Sequence, residues 1–187
     1  MAMETTKPGN RSLFLFTLAT ATLLCAASAR AGDSRSDYAA GQKAPAFQAA
    51  TVEGKKIKFP DDYKGKVVLL DFWATWCGPC RAELPNVAAT YQKYHSKGFE
   101  ILGVSLDQPN EGPKLIKFTH DNNMPWPQIY DGRFWDAAVP VKYGVHAIPC
   151  PILVDGDTGV ILAEGPGALG DDLSSAVEKG LAAKSKK

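Results

Sequence analysis

Val67-Val68-Leu69-Leu70-Asp71-Phe72-Trp73-Ala74-Thr75-Trp76-Cys77-Gly78-Pro79-Cys80 is the stretch on which the fold turns. Its first half is a continuous apolar, β-rich run behind Lys64-Gly65-Lys66, the pattern of a strand buried on both faces of a sheet. Its second half is a Cys-x-x-Cys motif. From Pro79 onward Ala82, Leu84, Val87, Ala88, Tyr91 and Tyr94 recur at helical spacing until Lys97-Gly98 ends them. Pro85 is expected to kink this helix. A strand that gives way to a helix here places Cys77 among unpaired N–H groups, at the positive end of the helix dipole, where a thiolate is stabilised. Cys77 is therefore the expected nucleophile. Cys80, one turn further on the same face, is near enough to close a disulfide and is expected to be less exposed, which makes it the resolving sulfur. The implied chemistry is attack of the Cys77 thiolate on a substrate disulfide, followed by release through Cys80; run backward, it oxidises a dithiol.

Downstream, Phe99 to Leu106 reads as a second buried strand, Pro113 to Asn122 as a helix, Gln128 to Tyr130 as a short extended piece and Trp135 to Tyr143 as a helix. Pro151 to Asp155 and Val160 to Glu164, joined by Gly156-Asp157-Thr158-Gly159, read as a hairpin, and Asp171 to Ala183 as a closing amphipathic helix. Strands alternating with helices argue for an α/β sheet.

Upstream, Lys7 and Arg11 precede an apolar stretch from Leu13 to Ala27 and the small residues Ala27-Ser28-Ala29 and Ala29-Arg30-Ala31. That is the layout of a secretory signal peptide over residues 1–31, cleaved after Ala29 or Ala31, with an uncleaved N-terminal anchor as the alternative. Residues 32–44, small and polar, read as a flexible linker. The folded domain is expected over 45–187.

The 187 residues carry 21 Lys and Arg against 20 Asp and Glu, a net charge of +1. With no long basic block, nucleic acid is not an expected partner. A chain of this size buries enough surface to fold without staples or metals, so its cysteines are free for chemistry. Removing the leader discards Cys25 and leaves Cys77, Cys80 and an odd thiol, Cys150. Cys-x-x-Cys spacing also serves zinc sites, but a closed site needs four ligands and no second pair exists; Cys150 with His95, His120 or His146 completes one only on paper. A purely structural bond across four residues would close almost no loop. No cofactor is expected.

Together with Gly41-Gln42-Lys43-Ala44-Pro45-Ala46-Phe47, which looks like the opening strand of the peroxiredoxin-related AhpC/TSA group, the Val68 to Cys80 stretch resembles the thioredoxin superfamily. Within it, the chain is similar to the exported branch of cytochrome c maturation and TlpA/ResA-like proteins, over nearly all of residues 41 to 187. The resemblance implies a thioredoxin fold: a central mixed β-sheet flanked by helices, with an N-terminal extension and a central insertion from Gln108 to Val139. It implies that Pro149, in Tyr143-Gly144-Val145-His146-Ala147-Ile148-Pro149, is a cis proline facing the cysteines, and that Ile148 contacts an extended substrate. Trp76, Gly78 and Pro79 complete the substrate-contacting surface, with Trp73 a packing group. Asp71 matches a buried carboxylate behind the motif that accepts the proton of the resolving thiol. Glu83 matches a glutamate near the site, although in mid-helix it would equally serve as an exposed helix former. Cys150 stands where the family most often has Thr. Its readings are an inert buried residue, a modulator that captures Cys77, or a ligand in a soft-metal site with Cys77 and Cys80. His146 reads as a helix-end or core histidine.

These readings imply an exported, periplasmic or otherwise extracytoplasmic oxidoreductase that reduces protein disulfides or apocytochrome c cysteines, fed by a membrane electron donor. Two alternatives stand beside it. A thiol peroxidase is disfavoured because Leu70 and Ala74 occupy the Pro and Thr positions of the peroxiredoxin motif relative to Cys77. A copper(I) carrier would use Cys77, Cys80 and Cys150.

Overall fold

Alternation of buried strands and amphipathic helices produces the expected α/β architecture. The computed structural model describes residues 1–3 and 35–186, and the fold belongs to the latter span. A hairpin of β1 (Phe47–Ala50) and β2 (Lys56–Phe59) precedes β3 (Val67–Trp73), α1 (Gly78–Tyr94), β4 (Phe99–Ser105), α2 (Gly112–Asp121) and β5 (Gln128–Ile129). After these come α3 (Ala138–Lys142), β6 (Cys150–Asp155), β7 (Ile161–Glu164) and α4 (Gly170–Lys184). The main sheet runs in the order β5-β4-β3-β6-β7, with β4 parallel to β3 and β5, and β6 antiparallel to β3 and β7.

All seven residues of β3 are buried, which is why its sequence shows no alternation: it is the central strand. A parallel β3–β4 pair requires a crossover, and α1 supplies it. The helix continues through Pro85, passes into a short 3₁₀ turn over His95–Lys97, and stops at Gly98, whose φ of 104° few side-chain-bearing residues adopt. In the antiparallel direction Phe72 of β3 faces Cys150 of β6. The end of β3 that leads into the cysteine motif and the start of β6 that follows Pro149 therefore lie at one end of the sheet.

Gly103 of β4 has a packing reason to lack a side chain. A Cβ there would run into the amide of Gln128, whose side chain crosses the strand and accepts a hydrogen bond from Trp73 Nε1 at 2.9 Å. That buried bond fixes the last residue of β3, four positions before Cys77.

Several expectations need correction. The helix foreseen over Trp135 to Tyr143 is a 3₁₀ turn, Phe134–Asp136, followed by α3 after extended Ala137. Pro140 explains the break, since its ring would clash with the Asp136 carbonyl in a continuous helix. The opening strand foreseen over Gly41 to Phe47 begins only at Phe47, preceded by a single bridge between Lys43 and Val160. The lead-in expected to be flexible over 32–44 is tied down where it is described. Asp37 N donates to Tyr143 O, Gly41 N to Ile161 O and Ala44 N to Gly159 O, and Ser36 and Ala44 are buried. His146 is neither a helix end nor a core residue but lies at the surface, with Nε2 3.0 Å from Asp37 Oδ1. The leader expected over 1–31, apart from its first three residues, lies outside the described residues, and Cys25 with it.

Candidate active site

Cys77 and Cys80 are joined by a disulfide, with Cα atoms 5.3 Å apart. Cys77 is the N-cap of α1, in extended conformation, and its Sγ accepts a hydrogen bond from Cys80 N at 3.2 Å. A side-chain acceptor at this place satisfies one of the first-turn amides that have no intrahelical partner; when the bond is reduced, the same amide stabilises a thiolate. Pro79 follows in the first turn, where its missing N–H has no cost.

The expected difference in accessibility is absent in this bonded state, because Cys77 and Cys80 are each 4% exposed. Their environments differ instead: Cys77 caps the helix and Cys80 sits inside its first turn. Trp76, Gly78 and Pro79 form the exposed rim around them.

The loop entering the helix is stitched to the end of β4, a feature sequence reasoning missed. Leu106 N donates to Trp73 O at 2.8 Å, and Trp76 Nε1 to Leu106 O at 3.3 Å. Asp107 is fully buried. Its carboxylate accepts Thr75 Oγ1 at 2.6 Å, Thr75 N at 3.2 Å and Ser105 Oγ at 2.8 Å. A buried carboxylate with this many donors is a structural clamp on the residue two before Cys77. The Ser-Leu-Asp that closes β4 offers no recognisable motif, so only the tertiary pairing of β3 with β4 makes its role visible.

Asp71 sits on β3 six residues before Cys77, buried, and desolvation followed by the nearby Glu83 carboxylate lifts its pKa from 3.8 to about 7. Glu83 itself is half-buried rather than a free helix-surface residue: its Oε2 accepts Gly170 N at 3.1 Å and Asn86 Nδ2 at 3.3 Å. It thus ties α1 to the start of α4 and adds negative charge beside Asp71.

The Ile148–Pro149 peptide is cis, Ile148 is half-buried and Pro149 is buried. Arg35 Nη1 donates to Pro149 O at 2.9 Å and Arg35 O accepts His146 N at 2.9 Å, so the lead-in grips this turn from outside. Cys150 follows as a free, buried thiol. Burial pushes its pKa up to about 12, against a hydrogen bond with Ser36 that lowers it. Nearly all of it is therefore thiol at neutral pH. In this disulfide-bonded state no three His, Cys, Asp or Glu side chains among the described residues, Cys77, Cys80 and Cys150 included, are placed to hold a metal ion. Two of those sulfurs are bonded to each other and the third packs beside Ser36. On native, reduced protein, iodoacetamide is expected to label Cys77 within minutes and Cys150 only after unfolding. Cys150→Ala is expected to leave the reduction potential of the pair unchanged. Labelling of three thiols in the native state would contradict this reading.

Comparison with known proteins agrees with this geometry. The AhpC/TSA family model matches residues 40–163. Thiol-disulfide oxidoreductase ResA of Bacillus thuringiensis subsp. konkukian is 37% identical over 121 residues, 65% of this chain and 66% of the relative's length. The thioredoxin domain of a thiol-disulfide oxidoreductase from Bacteroides vulgatus superposes with a TM-score of 0.66 at 36% identity, over 77% of this chain and 99% of that one. A thiol:disulfide interchange protein from Bacteroides sp. gives 0.64 at 37% identity, over 75% and 89%. A five-stranded mixed sheet, a disulfide at the head of α1 and a cis proline at the start of β6 all accompany the sequence match, and the chain belongs to the AhpC/TSA family, in its ResA-like, thioredoxin-fold group.

Proposed function

We propose that this protein is an exported thiol-disulfide oxidoreductase that reduces disulfides in protein substrates, apocytochrome c cysteines among them. The observation that carries the reading is the Cys77–Cys80 disulfide capping α1. In the reduced protein the Cys77 thiolate attacks one sulfur of the substrate disulfide, forming a mixed disulfide and expelling the other sulfur as a thiolate, which takes up a proton. Asp71 accepts the proton of Cys80, whose thiolate then attacks Cys77 Sγ. The second substrate sulfur leaves as a thiol, and the pair is left oxidised, as in the structure. Two electrons have passed to the substrate, and a dithiol donor at the membrane returns them. Ile148, before the cis proline, presents backbone to an extended substrate, and Trp76, Gly78 and Pro79 form the surface it crosses.

Export rests on the leader over residues 1–31. Among the described residues no helix is long and apolar enough to cross a membrane. N-terminal sequencing of the extracytoplasmic protein is expected to begin at Arg30 or Gly32. Equilibration in dithiothreitol or glutathione buffers tests the direction of the chemistry. A potential near about −270 mV supports a reductase, whereas one near about −120 mV would make the protein an oxidant. Absence of a reversible Cys77–Cys80 bond would remove the dithiol mechanism.

A further inference from the structure

The segment between β5 and α3 contains an aromatic pair that the proposed chemistry does not use, Phe134-Trp135. Both rings are half-buried and both lie against Trp76, the residue before Cys77: the Trp76 ring centre is 5.5 Å from that of Phe134 and 6.3 Å from that of Trp135. The two are themselves 5.9 Å apart, edge to face. Trp76 remains 41% exposed although two rings cover part of it. Three aromatic rings grouped at the surface beside a redox disulfide form an apolar patch of the kind that marks an interaction site.

The backbone beneath them is held in an uncommon conformation. Phe134 has φ 55°, in the left-handed region, where a bulky side chain is an outlier that persists only when its surroundings determine it. Asp131 supplies that determination. Its Oδ1 accepts Arg133 N at 3.0 Å and its Oδ2 accepts Ala138 N at 2.9 Å, so one carboxylate spans the turn from just before the pair to the first residue of α3. Neither ring is fully buried: Trp135 packs against the core from its edge, and Phe134 is not part of that packing. The turn presents rings to the site.

We infer that Phe134 and Trp135, with Trp76, form the wall that receives a large apolar or aromatic side chain beside the target disulfide of a protein substrate. The inference rests on the oxidoreductase reading and specifies its substrates. A substrate sulfur that reaches Cys77 must pass the rim formed by Trp76, Gly78 and Pro79, which places the residues flanking it over the three rings. Aromatic pairs of this kind gain energy beyond simple burial, and so select among flanking sequences without contributing to the exchange itself.

The test uses the full-length protein, pre-reduced, in single-turnover reactions with two peptides. Each peptide is closed by one intramolecular disulfide, and they differ only in carrying Phe or Ala beside a cysteine. The wild type is expected to favour the Phe peptide by about tenfold in second-order rate. In Trp135→Ala, and separately in Phe134→Gly, which removes the ring and suits the left-handed backbone, that ratio is expected to fall below about twofold. A folding defect would lower both rates together and leave the ratio, so the ratio separates recognition from structure. Equal rates for the two peptides with the wild type, or a ratio unchanged in both variants, would overturn the inference while leaving the oxidoreductase reading intact. A wild type that reduces neither peptide would overturn both.

Discussion

Replacing Cys80 by Ser is expected to stop the protein after its first chemical step, as a mixed disulfide between Cys77 and substrate. Replacing Cys77 by Ser is expected to reduce turnover to the buffer background. The asymmetry comes from position, since burial is the same for both residues. Cys77 caps α1, and its sulfur already accepts the Cys80 amide, the donor that would stabilise a thiolate there. Cys80 lies within the first turn, with its sulfur directed at Cys77 and bonded to it. A substrate sulfur arriving over the rim meets Cys77, and only a group inside the helix can then displace it. Serine at 80 offers no nucleophile of comparable strength, so the intermediate persists; serine at 77 offers none to begin. The loss for Cys77→Ser should be on the order of 10³-fold or more, given accelerations of about 10⁶-fold and above for enzymes generally. Non-reducing electrophoresis and intact mass after mixing with a disulfide peptide read both outcomes. Trapping through Cys80 in the Cys77→Ser variant would reverse the assigned roles.

The parts of this site legible in the sequence are those encoded by contiguous residues. An unbroken apolar run with no alternation is the mark of a strand buried on both faces, and β3 is that strand, with its bounds as foreseen. The Cys-x-x-Cys after it could lie only at a helix start, because helical spacing begins at Pro79. The cis proline at 149 followed from resemblance, since nothing in Ile-Pro-Cys alone distinguishes cis from trans. What stayed hidden depends on pairing across the sheet or on loops. Asp107 is an unremarkable Asp after a strand until parallel pairing of β3 and β4 brings it onto Thr75. Arg35 belongs to a stretch whose small polar composition reads as linker, yet it bonds to the carbonyl of Pro149, 114 residues away in sequence. Trp135 reads as the start of a helix running to Tyr143, with Phe134 just outside it, and Pro140 is the signal against that helix. Adjacent aromatic residues in a short polar loop, with an Asp just upstream to brace it, are the pattern that would have drawn attention to them.

Asp71→Asn is expected to stabilise the folded protein and slow its chemistry, two effects with one cause. Burial, with the Glu83 carboxylate close by, raises the Asp71 pKa from 3.8 to about 7. Below about pH 4 the group is protonated in folded and unfolded chains alike, so it costs nothing. Between that and about pH 7 the unfolded chain ionises it while the fold retains the proton, and stability declines as pH rises. Above about 7 the full penalty applies, on the order of 4 kcal/mol from a shift of that size. An amide removes the charge but keeps the shape, so the variant should melt roughly 5–15 °C higher at pH 8, with the gain vanishing near pH 4. A buried acid that destabilises the fold at neutral pH is tolerable when it moves a proton, and a pKa near the working pH suits a base for the Cys80 thiol. The variant should therefore resolve its mixed disulfide about 10² times more slowly at pH 7, and it should lose the inflection near pH 7 that the wild-type rate shows. Thermal melts at pH 4 and 8, paired with pH–rate profiles for single-turnover reduction, measure both. A more stable Asn variant with an unchanged pH profile would leave Asp71 a buried charge without a catalytic task, and would move the search for the base to Glu83, the other carboxylate on that face.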